Sequence, residues 1–354
     1  MDIFSTYHLL ALVEEIVPET TFFRDRYFPT TAADIFKSDK VLTEYRKGDR
    51  KMAAFVAQRV GDIPIDRRGY EMREYQPAYI APSRMLTLDD LEKRGFGEAL
   101  FAGSTQAQRA AKIQLQDLAD LDSRIVRREE WMAAQTMINN ACDMQEYIDV
   151  ETKGEVARVQ FYDGTSEHEY TVATPWNAAN GDFFGDVTAM CRMLSKRGLP
   201  SADLILGSQA ADAILGIEKV QKLLDISRIH LGNINPALSA NYPGVVNMGT
   251  LNFNGFLLTL WSVIHSYVDD NGADTPYFPA TSAMVTAPKC GRLMYGQITQ
   301  INHGKTDYTT HAAKRVPKLV VDQEKDTRKL RLGARPLAAP KNYCPYIYAK
   351  SVVS

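Results

Sequence analysis

Between residues 104 and 145 the apolar positions Ala111, Leu115, Leu118, Leu121 and Ile125 recur at three- and four-residue steps. A seven-residue jump over Arg128–Glu129 then leads to Met132. This is the helical period. Thr105 with Gln108 forms a capping-box pattern, and no glycine or proline interrupts the stretch. One helix is predicted over about 104–145. At ~1.5 Å per residue it would be about 50–60 Å long, well beyond the globular average of ~11 residues. Lys112, Asp117, Asp120, Arg124, Arg127, Arg128 and Glu130 occupy the opposite face, which is charged. A coiled coil is the competing reading, but only one helix of this length is present and the seam drifts after Ile125.

Upstream the pattern is different. Ser5 is a candidate N-cap for a short amphipathic helix with Leu9, Leu10, Val13, Ile16 and Val17 on one side, ended by Pro18. "TTFFRDRYFPTT" then places Phe22, Phe23, Tyr27 and Phe28 in an arm with little regular periodicity. Four large aromatics need a surface, either the chain's own core or a neighbouring subunit. Residues 41–80 read as a long two-stranded hairpin, punctuated by Gly61, Pro64 and Gly69 and charged with both signs, including Arg59, Arg67, Arg68, Arg73 and Glu74. It has too few large apolar residues to form a core, and an isolated hairpin is marginal in water. The hairpin returns through "EYQPAYIAPSRML". Pro77 and Pro82 forbid a helix interior there, so this is a stiff extended connector carrying Tyr75 and Tyr79.

Downstream, residues 147–172 alternate like strands, with turns near Lys153–Gly154 and Asp163–Gly164. From Pro175 the grammar becomes α+β. A helix runs from about Gly181 to Gly198, followed by a short buried strand, Leu204–Leu206, and a helix with Ser208 as its N-cap. Strands are expected near Leu257–His265 and Ala283–Val285, separated by the turn Asp269–Asp274. The end of the chain returns to strand-like alternation at Leu330, Leu332, Tyr346 and Tyr348.

Composition adds exclusions. The 354 residues are 45% hydrophobic and 24% charged with a net charge of −2, ordinary for a globular chain of about two domains and without a global signature for nucleic acid or membrane. No membrane-length apolar run and no basic, secretory-type N-terminus is present. Cys142, Cys191, Cys290 and Cys344 form no CxxC pair and read as buried free thiols of a reducing cytoplasm. No catalytic or cofactor constellation stands out. His168–Glu169 lacks the second histidine of a zinc-protease motif, and Gly95-Phe96-Gly97 and Gly304-Lys305-Thr306 lack the further glycines of phosphate loops. Ser208 in "LGSQA" fails the hydrolase elbow pattern at Ala210 and Leu206. The pairs Asp89–Asp90 and Asp269–Asp270 cannot face each other as acid and base. Late basic residues, from Lys314, Arg315 and Lys318 to Arg328, Lys329, Arg331 and Arg335, read as a charge-mixed edge, with phosphate binding the weaker alternative.

The order of these parts carries a resemblance. "STYHLLALVEE", the aromatic arm with "FPTT", "EYQPAYIAPSRML", "RREEWMAAQTM", "AMVTAPKCGRLMYGQI" and the tail "DTRKLRLGARPLAAPKNYCPYIYAKSVV" together resemble the major capsid protein E family, the head proteins of lambda-type phages. The resemblance covers nearly the whole chain. It implies the α+β Hong Kong 97-type capsid fold. Residues 1–40 would be an N-terminal arm and 41–82 an extended loop lying across a neighbour. Residues 83–174 with 316–354 would form a peripheral domain around a spine helix of about 104–145, and 175–315 an axial domain. It also implies a shell of hexamers and pentamers around double-stranded DNA, a scaffolding protein, a portal and a possible decoration protein. No cofactor, metal or catalytic residue is implied. The place would be the virion, assembled in the host bacterial cytoplasm. The candidate inter-subunit contacts are Phe22, Phe23, Tyr27, Phe28, Arg59, Arg67, Arg68, Arg73, Glu74, Tyr75 and Tyr79. The alternatives are an encapsulin-like nanocompartment shell and a cytoplasmic enzyme with its site in 175–315.

Overall fold

The structure, a computed structural model, describes residues 21–45, 71–87, 106–147, 152–162, 166–178, 180–217, 220, 232–238, 242–269, 272–302, 306–322, 324 and 327–354. The expected opening helix, the loop with Arg59, Arg67 and Arg68, and the Asp89–Asp90 pair lie outside the described residues.

The arm makes one wide helical turn, Phe23–Tyr27, before strand β1 (Val41–Tyr45). β1 pairs antiparallel with β2 (Glu71–Tyr75), Tyr45 opposite Glu71. β3 (Ser83–Leu86) follows the proline connector. The long helix α1 is Gln106–Asn139, about 50 Å at ~1.5 Å per residue. It ends before the predicted 145 because Asn140 turns left-handed, φ 52°, a conformation asparagine tolerates better than most residues. Asn140 Nδ2 donates to the Phe161 carbonyl at 2.8 Å, and its Oδ1 accepts the Tyr346 hydroxyl at 2.8 Å. Residues 141–145 therefore open β4 (Ala141–Tyr147), paired with β5 (Lys153–Gln160). Lys153 stands opposite Tyr147, so that reversal precedes Lys153.

After β6 (Glu169–Tyr170), helix α2 spans Phe183–Lys196, close to the predicted limits. The Asp182 side chain accepts the Gly185 N–H at 3.1 Å, and Gly198 follows with a positive φ of 75°. β7 (Asp203–Gly207) leads directly into α3 (Ser208–Leu215). Gly207 holds the N-cap position and makes no side-chain cap, so Ser208 is helical and is not the cap. β8 (Gly232–Leu238), β9 (Val245–Phe253) and β10 (Phe256–Val263) follow, then the hairpin β11 (Ser266–Val268) with β12 (Asp274–Pro276). The last strands are β13 (Ala283–Thr286), β14 (Gly291–Tyr295), β15 (Ile298–Ile301), β16 (Tyr308–His311), β17 (Val316–Asp322), β18 (Thr327–Gly333), β19 (Pro336–Pro340) and β20 (Ile347–Ala349).

A seven-stranded mixed sheet, in the order β6-β20-β13-β7-β10-β9-β8, dominates the second half. β7 is central and buried at all five positions, as a continuous apolar run requires when both faces are covered. Alternation sends Leu204 and Leu206 toward α2 and α3, while Ile205 packs with the arm aromatics. Helix α1 spans two other contacts. Leu118, Leu121 and Ile125 pack on the three-stranded sheet β17-β18-β3 through Leu319, Leu330 and Leu332. Met132, Ala133 and Met137 pack instead with the arm, β14 and β19. The drift of the seam after Ile125 is this change of partner. Ala111 and Leu115, placed on the apolar stripe by spacing, are exposed. Residues of β17, β18 and β19 pack against α1, whereas β20 is inserted between β6 and β13.

Candidate assembly site

Two features organise this part of the chain: the docked arm and the root of the 46–70 loop. The arm is held first by its aromatics. Phe22 lies edge-on to Phe23 at 5.2 Å and to Tyr242 at 5.5 Å, and sits 5.3 Å from Trp261, while Phe23 stacks on Phe278 at 6.1 Å. Phe28 crosses β14 where a Cβ on Gly291 would stand 2.2 Å from its ring, so only glycine permits that approach. Phe22, Phe23, Tyr27 and Phe28 are between 0% and 2% exposed. Their covering surface is the chain's own core, which removes these four from the candidate inter-subunit contacts.

Buried charge then fixes the arm. Glu130, placed by spacing on the charged face of α1, is fully buried and accepts the backbone N–H of Phe23 at 2.8 Å and of Arg24 at 2.7 Å. These are two of the donors that the first turn of a helix leaves without an internal partner. Burial pushes the Glu130 carboxyl up to about 7, against the lowering effect of the two N–H groups. Beside it, Glu129 takes both terminal nitrogens of Arg315, at 2.7 and 3.0 Å, and the Tyr295 hydroxyl at 2.9 Å. Arg315 Nε also reaches Asp122 at 2.6 Å, and Arg24 reaches Glu129 at 3.4 Å. Burial opposes the charge on Arg315, but Glu129 outweighs it and the pKa is raised.

On the sheet side, Arg26 forks onto Asp203 of β7 at 2.8 and 2.9 Å, and the Tyr27 hydroxyl adds a bond at 3.0 Å. The Arg26 guanidinium also lies 4.7 Å over the Trp261 ring. Burial works against its charge, and the Asp203 bond more than restores it. The arm is thus stapled between α1 and the centre of the large sheet. Spacing alone missed Glu129, Glu130, Asp203 and Arg26. One signal was present: Glu129 falls where the apolar stripe continues from Ile125 to Met132, and a carboxylate on a buried stripe needs partners.

The loop root is fixed by different means. Val41 and Thr43 of β1 face inward, while Leu42 is 40% exposed opposite Glu74. Lys40 reaches Glu74 at 3.3 Å, both side chains being more than half exposed. Tyr75 packs edge-on to Phe161 at 5.4 Å, and its hydroxyl donates to the Gln160 carbonyl at 3.2 Å. Pro77 is buried. Ile80 exchanges backbone hydrogen bonds with Ala334 at 2.9 and 2.8 Å, and the Pro82 carbonyl accepts the Leu332 N–H at 3.1 Å. Tyr79 is exposed and lies over Gly333, where a Cβ would stand 2.6 Å from its hydroxyl. The connector is therefore sewn onto β18 in register, and Glu74 and Tyr79 remain open to an outside contact, with Arg73 half-buried.

Among the described residues no three histidine, cysteine, aspartate or glutamate side chains converge to hold a metal ion. All four cysteines are free and buried, and burial pushes the Cys142 and Cys290 thiols up to about 12. No helix among the described residues is long and apolar enough to cross a membrane.

The family profile of phage major capsid protein E matches residues 5–350. The chain belongs to that family. Within this capsid protein family, curated relatives include the P21 prophage-derived major head protein of Escherichia coli O6:H1 and the major capsid protein of Enterobacteria phage P21. Each is 26% identical over 145 residues. The aligned part spans 41% of this chain and 42% of each relative, less than half of its length. The crystal structure of a prophage protein of E. coli CFT073, described as a capsid protein, matches with a TM-score of 0.66 at 13% identity over 99% of both chains. A phage-related protein from Bordetella bronchiseptica RB50 matches with a TM-score of 0.50 at 10% identity, over 97% of this chain and 96% of the other. The fold is the α+β Hong Kong 97-type capsid fold that the sequence resemblance implied.

Proposed function

We propose that this chain is the shell subunit of a phage or prophage head and acts by assembly, without catalysis. The observation that carries the reading is the loop root. Tyr45 pairs with Glu71, so the 25 residues 46–70 leave and rejoin the subunit at one point. Their sequence has too few large apolar residues for a core of its own, and a neighbouring subunit would supply the missing surface. In such rings one patch meets a different patch on the next copy, the heterologous geometry of hexamers and pentamers. Residues 1–40 act as the arm, 41–82 as the extended loop, 83–174 with 316–340 as the peripheral domain, and 175–315 as the axial domain. By its pairing β20 goes with the axial sheet. A scaffolding protein, a portal and a decoration protein are the expected partners. Double-stranded DNA is enclosed without sequence-specific contacts, in a virion assembled in the host bacterial cytoplasm.

The test replaces residues 46–70 by Asn-Gly, a dipeptide suited to closing the β1–β2 hairpin. Circular dichroism should show a folded subunit, and negative-stain microscopy should show no rings or shells where the full chain forms them. Shells from the shortened chain, or a full chain that stays monomeric with its scaffolding partner, would overturn the reading.

A further inference from the structure

The sheet β17-β18-β3 pairs Arg84 with carboxylates on one face, while among the described residues the cations of the other face have no carboxylate partner. Toward α1, Arg84 stands in the same cross-strand row as Leu319 and Leu330. It pairs with Asp117 at 2.9 Å and with Asp120. Strand alternation turns the intervening rows outward: Val320, Lys329 and Met85, then Lys318 and Arg331. Lys318 stands directly opposite Arg331, a like-charge pairing that destabilises a sheet. Desolvation and then Arg331 lower the Lys318 pKa. Arg331 and Arg335 both lie over the Tyr79 ring, at 5.8 and 5.7 Å, and the Nε of each is buried without a hydrogen-bond partner. Among the described residues, none of Lys318, Lys329, Arg331 and Arg335 has a carboxylate at ion-pair distance. Apolar groups stand between these cations: Met85 is 59% and Val320 44% exposed. A face whose cations meet no carboxylate among the described residues, beside Arg84 paired twice on the other side, is suited to an acidic, partly apolar partner.

We propose that this outer face docks the N-terminal segment, residues 1–20, of a neighbouring copy of the chain, a reading that rests on the assembly proposed above. Those residues contain Asp2, Glu14, Glu15 and Glu19 and no lysine or arginine. Their apolar residues Leu9, Leu10, Val13, Ile16 and Val17 recur at helical spacing. Both charge and apolar content therefore complement the face. Residues 46–70 do not complement it, since seven lysines and arginines stand there against three aspartates. Nucleic acid is disfavoured because its phosphates would match the cations and leave Met85, Val320 and Tyr79 without apolar partners. A segment on one copy and its complementary face on the next make a heterologous contact of the kind that closes rings.

Acetylation rates of the Lys318 and Lys329 amines, read by mass spectrometry on assembled particles and on the unassembled chain, test this. Both amines should react several-fold more slowly in particles, and Glu14→Lys with Glu15→Lys should abolish particle formation and that protection with it. Adding Lys318→Glu with Arg331→Glu to that variant should restore particle formation. A photo-crosslinker at Leu10, in particles assembled from mixed heavy and light chains, should join β3, β17 or β18 of a different copy. Crosslinks confined to the same copy or to other elements would overturn the docking even where shells form, leaving the assembly reading intact. Protection that survives the charge reversal at Glu14 and Glu15, and depends on packaged DNA, would assign the face to nucleic acid and overturn it equally. A chain that never assembles would remove both readings together.

Discussion

Glu130 is the residue at which the arm's geometry becomes a measurable property. Its carboxyl is fully buried against the first backbone N–H groups of the arm turn, and burial lifts its pKa from the ordinary 4.5 to about 7. The folded chain therefore holds a proton there through a pH window in which the unfolded chain has lost it. Stability linked to this group is present below about pH 4.5 and declines as pH rises toward about 7. At about 1.4 kcal/mol per pKa unit the decline is on the order of 3 kcal/mol. Scanning calorimetry of the unassembled chain should show a melting temperature that falls between about pH 5 and 7. Glu130→Gln should flatten that slope and lower stability at acidic pH, because its amide donor meets the arm's N–H groups. An unchanged slope would show that Glu130 does not titrate in this window. Arg24, Asp25, Glu129, Tyr295 and Arg315 face the same junction, so the variant's difference from the parent, and not the raw slope, is the quantity to read.

At the element scale, α1 shows which parts of the fold could be read in the chain and which could not. Its existence follows from three- and four-residue spacing, and α2 and β7 were equally plain, since their apolar runs and bounding glycines are local signals. Its end was not plain, because Asn140 stops the helix through bonds to Phe161 and Tyr346, one of them 206 residues away. Its faces were only half plain. Spacing treats Leu115 and Leu121 alike, yet Leu121 is 2% exposed against the β17-β18-β3 sheet and Leu115 is 47% exposed. The partners of the buried Glu129 and Glu130 lay outside local reach for the same reason, as they come from the arm and from Arg315. The unequal leucines give a direct test by urea denaturation. Leu121→Ala should cost about 2–5 kcal/mol through a buried void. Leu115→Ala should stay within about 0.5 kcal/mol, as exposed positions do. Equal losses would mean that both leucines are covered in the folded subunit.

At the scale of the whole molecule, the two ends of the chain are joined to the fold in opposite ways. The arm reaches the core from Thr21 onward through buried aromatics and two charged staples, one on α1 and one on β7. The last residues are part of the core itself. β20 is an interior strand of the seven-stranded sheet, with Ile347, Ala349 and Val352 fully buried beneath α2. The Val352 carbonyl accepts the Trp176 N–H at 2.7 Å, and its own N–H donates to Thr281 at 2.8 Å. Removing β20 would leave β6 without its partner and expose one edge of β13, together with the apolar faces that both strands cover. Deleting residues 345–354 should therefore destroy the cooperative thermal transition and leave aggregated protein, whereas deleting residues 2–20 should preserve that transition and act on assembly alone. Calorimetry and light scattering on the two truncated chains separate these outcomes. A shortened C-terminus that still melts cooperatively would mean that β13 closes the sheet without β20.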